Sequence, residues 1–198
     1  MSKPVIAIDI DDTISATTDG VVAHVAKTHG AVLAPGNISD FGYWNSYGIS
    51  DDESIALVHG YQLAGYPGLA VLPGAQGALQ RIARRYRIVL VTSRGKQYLQ
   101  STERWINNNF PAIFDDLVFV GNKFVSKKVR SKADVCKEYG AVLLIDDAPH
   151  YAQAAAEAGI EAWLFGGYHW HQTREIPGVV RVADWAEVER RLGSDAQG

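Results

Sequence analysis

The chain has a single cysteine, Cys136, in 198 residues. An intrachain disulfide is therefore excluded, and this usage fits a reducing cytoplasm. Cys136 itself reads as a small apolar residue buried on a helix, not as a nucleophile. Long hydrophobic runs are missing too. No apolar stretch approaches the ~20 residues that span a bilayer. The run behind Met1-Ser2-Lys3-Pro4 is too short for a secretory signal. The expectation is a cytoplasmic protein with no membrane partner. Charge of one sign is scarce: the formal net charge is −3, so no global positive field recruits nucleic acid or an anionic membrane. One basic stretch, Lys123, Lys127, Lys128, Arg130 and Lys132, reads mainly as solvated surface. Internal repeats and low-complexity tracts are absent. What remains is an ordinary globular composition, 47% hydrophobic and 21% charged. That suffices to bury a core without disulfides or a structural metal, in one domain or one domain with a modest insertion.

Five short runs of Val, Ile and Leu predict strands: Val5 to Ile8, Ile88 to Val91, Leu117 to Val120, Val142 to Ile145 and Ala162 to Phe165. Unbroken apolar runs of this length are those of strands buried on both faces, as in a parallel sheet. Helical spacing recurs between them over residues 75–85, 98–109, 132–139 and 149–158. The alternation predicts an α/β fold with an open parallel sheet. It breaks once. After the first strand, residues 17–30 and 51–64 read as helices, joined by a stretch rich in Gly, Asn, Ser and aromatics. The simplest reading is a helical insertion over residues 15–72, with 1–14 and 73–198 forming the core. Ligands in such sheets sit at the carboxyl ends of the strands, so an insertion at that point is placed to cover the site. The tail from Gly193 is expected to fray.

The first strand ends in Asp9, Asp11 and Asp12, followed by Thr13. Residues two apart at a strand end point to the same side, so Asp9 and Asp11 can converge while Asp12 points away. Such a pair suits a hard cation such as Mg²⁺, or a nucleophile with its acid/base partner. The plainer alternative is that Asp11 or Asp12 caps the next helix. The Val142 to Ile145 strand also ends in carboxylates, Asp146 and Asp147, and parallel strands bring such ends to one edge. The Ile88 to Val91 strand runs into Thr92-Ser93-Arg94-Gly95 before a helix, where a hydroxyl and free N–H groups make a phosphate site. One lysine of the basic stretch is expected to offset phosphate and carboxylate charge.

In order, Asp9-Ile10-Asp11-Asp12-Thr13, Val89-Leu90-Val91-Thr92-Ser93-Arg94, Lys132 and Leu144-Ile145-Asp146-Asp147 resemble the four motifs of haloacid dehalogenase (HAD) superfamily phosphatases. The resemblance covers about residues 4–14 and 73–170. It implies a Rossmann-like core, Mg²⁺ as cofactor and a phosphorylated small molecule as partner. It further implies that Asp9 is the nucleophile and a metal ligand. Asp11 is implied to protonate the leaving group and then activate water, while its backbone carbonyl binds Mg²⁺. Thr92, with Ser93, would hold phosphoryl oxygens, Lys132 would orient Asp9 and the phosphoryl group, and Asp146 would ligate the metal. Asp147 would hold a metal-bound water or Lys132. Lys132 is preferred over Lys123 because Ser131 to Glu138 opens the helix before the acidic strand, where many relatives carry this lysine; Lys123 and Lys128 stay as alternatives.

The insertion, Leu72-Pro73-Gly74-Ala75 and Leu164-Phe165-Gly166-Gly167-Tyr168 are similar to the 5'(3')-deoxyribonucleotidase-like branch, which carries a small helical cap. Two features depart from it. His169-Trp170-His171 stands where relatives often carry Pro-Trp-Asn, and two histidines are too few for a metal site, so a loop near the site is expected. The base-stacking aromatic pair is reduced to Tyr66 alone in Tyr66-Pro67-Gly68-Leu69-Ala70-Val71. Phe41, Tyr43, Trp44 and Tyr47 are alternative platform residues, or aromatics packing the cap onto the core. Arg94 and Lys96 are further substrate candidates. The resulting expectation is a phosphomonoesterase, with a nucleoside monophosphate as leading substrate and a sugar phosphate as alternative. A carbon–halogen hydrolase is disfavoured by Asp11, which that chemistry does not need. A non-catalytic binding module is disfavoured by the intact set of five residues. A nucleic-acid-end phosphatase is disfavoured by the overall acidity.

Overall fold

A computed structural model describes residues 2–29, 51–121, 130–171 and 175–194. Six strands form one sheet: β1 (Val5–Ile8), β2 (Arg87–Thr92), β3 (Asp116–Phe119), β4 (Ala141–Asp146), β5 (Glu161–Phe165) and β6 (Val179–Val182). Their order is β3-β2-β1-β4-β5-β6 and every pairing is parallel. This is the open parallel α/β sheet of a Rossmann-like core. The helices are α1 (Thr17–His29), α2 (Asp51–Leu63), α3 (Ala75–Ile82), α4 (Leu99–Asn109), α5 (Lys132–Tyr139), α6 (Pro149–Glu157) and α7 (Trp185–Ser194).

Alternation of side chains across the sheet explains the unbroken apolar strands. Ile6, Ile8, Ile88, Leu90, Leu143 and Ile145 face one core, shared with α3, α4 and α7. Val5, Ala7, Val89, Val91 and Leu144 face the other, shared with Ala133, Val135 and Cys136 of α5 and Ala152 and Ala155 of α6. Both faces are covered, so neither tolerates a polar stripe. Cys136 is buried there, and that burial pushes its thiol up to about 12.

Helices α1 and α2 lie between β1 and α3, where the sequence predicts an insertion, and they pack on each other. A Cβ at Gly20 would collide with the Tyr61 hydroxyl, so only glycine permits that approach. The segment that follows α2 returns to the core through Ala16, whose N–H donates to Ala70 O at 2.9 Å, and Leu72, whose N–H donates to Ile14 O at 3.0 Å. The linker carrying Phe41, Tyr43, Trp44 and Tyr47 lies outside the described residues, as do Lys123, Lys127, Lys128 and the last four residues of the tail. Two elements were not predicted: β6 and α7. β6 is a four-residue edge strand, and α7 holds Trp185, whose indole donates to Thr13 O at 2.8 Å. No described helix is long and apolar enough to cross a membrane.

Candidate active site

The central strands β2, β1 and β4 end side by side, and the polar residues that follow them meet at one edge. Asp9 extends the ladder of β1 by one residue, its N–H donating to Ile145 O at 3.0 Å. Its carboxylate therefore stands beside that of Asp146, the last residue of β4. Lys132, at the first turn of α5, reaches both: Nζ lies 2.7 Å from Asp9 Oδ1 and 2.6 Å from Asp146 Oδ2. The lysine side chain is 1% exposed, and its ammonium sits 4.3 Å from the centre of the Tyr151 ring, a cation–π contact. Ser131 places it there by capping α5, accepting the N–H of Asp134 at 3.0 Å.

Among the described residues one group of three potential ligand side chains comes together, Asp9, Asp146 and Asp147, all buried, with oxygens within 4.8 Å of one another. Three carboxylates against one ammonium leave an excess of negative charge in a buried place. Its consequences are visible in proton affinity. Burial pushes the Asp9 carboxyl up to about 7; Lys132 pulls it down while Asp146 and Asp11 push it up. Burial, then Asp146, Asp9 and Asp12, raise Asp147 well above the usual carboxylate range. Burial works against the Lys132 charge, yet Asp146 and Asp9 outweigh it and raise its pKa. A hard divalent cation fits this donor set, since oxygen-only ligands with surplus negative charge are what Mg²⁺ takes.

Asp11 has a different setting. Its carboxylate is not in the cluster; the third member is Asp147. Instead Arg94 grips it, Nη2 donating to Oδ1 at 2.7 Å and Nε to Oδ1 and Oδ2 at 3.2 and 3.1 Å. Thr17, at the start of α1, donates its hydroxyl to Oδ1 at 2.6 Å. Burial alone would raise Asp11, but Arg94 and then Thr17 hold it below the usual carboxylate range. Asp12 does the capping that was the plain alternative for this pair. It accepts the Thr18 N–H at 3.0 Å and the Thr18 hydroxyl at 2.5 Å. Its φ of 52° turns the chain away, a conformation that Asp tolerates.

Thr92 is buried at the end of β2, its Oγ1 accepting the Arg94 N–H at 3.1 Å. Ser93 follows, half-buried. The α-helix begins only at Leu99, after a 3₁₀ turn at Lys96–Tyr98, so the N–H groups after β2 belong to a loop rather than a helix N-terminus. Lys96 is exposed in that turn. Arg94, expected as a substrate contact, is turned inward instead. Its side chain is 1% exposed, and its Nε and Nη2 donate to Asp11 and its Nη1 to Thr102. Tyr66, the lone aromatic of its stretch, covers Arg94, whose guanidinium carbon is 4.1 Å from the ring centre.

The His169–His171 turn is a loop beside the site. Trp170 and His171 converge on one carbonyl, that of Asp147, at 3.3 and 2.7 Å. A carbonyl only accepts, so His171 Nε2 carries the proton. Tyr168 stacks on Trp170 with centres 4.3 Å apart and donates its hydroxyl to Asp12 O at 2.6 Å. The turn thus pins the backbone of both acidic loops. Sequence reasoning missed Thr17, Thr102, Tyr151 and this clamp. Residues 168–171 were expected only as a loop near the site, with no partner named for Trp170 or His171.

An open parallel sheet with paired acidic strand ends, a buried lysine between them and a hydroxyl-ended neighbour defines an α/β phosphatase of the HAD type. The model of the family "5' nucleotidase, deoxy (Pyrimidine), cytosolic type C protein" matches residues 3–195, and the chain belongs to that family. No curated protein matches the sequence. Among solved structures, a predicted phosphatase from Clostridium acetobutylicum is 14% identical over 98% of this chain and 100% of that one, with TM-score 0.68. A haloacid dehalogenase-like hydrolase from Streptococcus pneumoniae is 16% identical over 96% and 98%, TM-score 0.64. A putative HAD-hydrolase from Bacillus subtilis bound to magnesium is 14% identical over 97% and 99%, TM-score 0.61. At these identities the likeness is one of fold.

Proposed function

We propose that the protein is a Mg²⁺-dependent phosphohydrolase of small phosphomonoesters, working through an aspartyl phosphate at Asp9. A (deoxy)ribonucleoside monophosphate is the leading substrate. The observation that carries the reading is the bridge of Lys132 between Asp9 and Asp146. One buried cation orients the nucleophile, neutralises part of the surplus charge and remains available to a phosphoryl oxygen.

Asp9, Asp146, Asp147 and the backbone carbonyl of Asp11 are the groups that would hold Mg²⁺. When bound, the ion supplies charge stabilisation to the transferring phosphoryl group. The protein's own residues do the rest. An Asp9 oxygen attacks phosphorus and the bond to the leaving oxygen breaks, with Asp11 giving that oxygen its proton. Water then attacks the same phosphorus, Asp11 accepts the water's proton, and the bond to Asp9 breaks to release phosphate. Arg94 and Thr17 keep Asp11 ionised in the free site. A phosphoryl dianion arriving beside it raises its proton affinity, which suits a group that must first donate. Thr92 and Ser93 offer hydroxyls to phosphoryl oxygens. Helices α1 and α2 belong to the cap that this reading assigns to residues 15–72, and the lone buried cysteine is in keeping with a cytoplasmic setting.

The test is Asp9→Asn assayed with 4-nitrophenyl phosphate and Mg²⁺. A fall of at least ~10⁴-fold in kcat is expected, as for loss of a covalent nucleophile; undiminished turnover would sink the mechanism. A second substrate reading, a sugar phosphate or other small phosphomonoester, is favoured by one observation: Tyr66 covers Arg94 and does not present its ring to a base. Flat activity across deoxyribonucleotides in a screen of phosphorylated metabolites would select it.

A further inference from the structure

We propose that Arg94 is a positioning residue that fixes the Asp11 carboxylate for proton transfer and ties that placement to the segment returning from the helical insertion. The proposal rests on the phosphatase reading above, since it gives Arg94 a part in that reaction. Three contacts carry it. The first is the fork on Asp11, which sets both the position and the plane of the carboxylate. The second is the donation from Nη1 to Thr102 Oγ1 at 3.2 Å, which anchors the guanidinium to α4. The third is the Tyr66 ring over the guanidinium at 4.1 Å, the face-on packing that arginine makes with aromatics.

Tyr66 is itself constrained. It holds a φ of 57°, packs edge-on against Tyr61 of α2 with centres 5.7 Å apart, and lies just after α2. Arg94 therefore touches the acid/base residue, the helix behind β2 and the end of the insertion at once. Arginine has no acceptor and stays charged at any working pH, so it moves no proton. What it contributes is geometry. A general acid must stand within hydrogen-bond reach of the leaving oxygen, and a misplacement of about 1 Å can cost ~10²-fold in rate.

First-turnover rates on two probes separate this role from a structural one. 4-Nitrophenyl phosphate expels a stable phenolate that hardly needs a proton; glycerol 2-phosphate expels an alkoxide that does. Arg94→Met should depress the glycerol 2-phosphate rate far more, lowering the ratio of the two rates by ~30-fold or more. Asp11→Asn should lower the same ratio. In the Asp11→Asn background, Arg94→Met should add less than ~3-fold, because nothing is left to position. Arg94→Lys keeps the charge but loses the fork and the stacking, and should restore only part of the ratio. Tyr66→Asn removes the ring with a residue that accepts positive φ, and should move the ratio the same way. If Arg94→Met does not fold, Arg94→Lys and Tyr66→Asn make the same comparison. Equal losses on both probes, or losses that multiply in the Asp11→Asn background, would overturn the positioning role. Asp9→Asn reports separately: if it stays active, the phosphoryl-transfer reading fails; if it is dead and the ratio is unmoved by Arg94, only the present inference fails.

Discussion

Asp9 and Asp11 sit two residues apart on one loop, yet their surroundings are opposite. Asp9 is packed with Asp146 and Asp147 around one lysine, and burial lifts its carboxyl to about 7. Asp11 is held by an arginine and a threonine and drops below the ordinary range. A single turn of chain thus separates a region short of positive charge from one supplied with it. The difference teaches how one loop assigns two roles. The carboxylate that needs a cation is left under-neutralised, while the carboxylate that must keep its place is gripped by fixed donors. Pairs of titratable groups with environments pushed apart are the usual mark of divided labour in an active site.

The largest way to break the contrast is to remove the cation of the first region. Lys132→Met leaves Asp9 and Asp146 buried without their shared partner. Loss of one member of a buried ion pair costs ~3–5 kcal/mol, to be read by urea denaturation in the presence of EDTA. Added Mg²⁺ should recover part of that loss, and turnover of 4-nitrophenyl phosphate should stay depressed. Unchanged stability in EDTA would show that the carboxylates need no neutralisation. A smaller effect is expected on pH. Asp9 has a folded pKa raised above its unfolded value, so the folded state holds the proton that the unfolded state releases. Stability in EDTA should therefore fall as pH rises from about 4 to about 7. Asp11, with its depressed pKa, acts in the opposite sense below that range. Saturating Mg²⁺ should flatten the fall, because a bound cation stabilises the ionised form. A stability that is level across this range in EDTA would remove the electrostatic contrast.

Much of this arrangement is legible from sequence because strand ends are marked by composition. Unbroken apolar runs ending in Asp9, Thr92 and Asp146 locate the edge where the chemistry gathers. Lys132 was singled out by the resemblance, which puts the lysine at the start of the helix that feeds the acidic strand. What was not legible depends on side chains meeting across long sequence separations. Arg94 reads from sequence only as a candidate substrate contact. Its inward turn is decided by Tyr66 and Thr102, neither of which advertises a partner. The Trp170 and His171 donors converge on a backbone carbonyl, which has no residue code at all. β6 was missed because it is short and only half-buried, and α7, which packs on α3 and the core, lies beyond the last strand that the apolar runs mark.

The smallest expected effect tests whether the third acid of the motif belongs to either region. Asp12 serves the start of the next helix, its carboxylate accepting the N–H and hydroxyl of Thr18. That satisfies a free donor at the start of α1 and places a negative charge at the positive end of the helix. Asp12→Ala should therefore cost ~1 kcal/mol of stability, the usual value of such a cap. Because Asp12 also lies among the groups that raise Asp147, its removal should lower the Asp147 pKa rather than raise it. Asp12→Asn keeps the acceptor without the charge, and should retain most of the cap while still relaxing Asp147. If Asp12→Asn instead abolished turnover while leaving the unfolding midpoint untouched, Asp12 would be part of the reacting set, and the division of the loop into a cation-seeking and a clamped carboxylate would have to admit a third member.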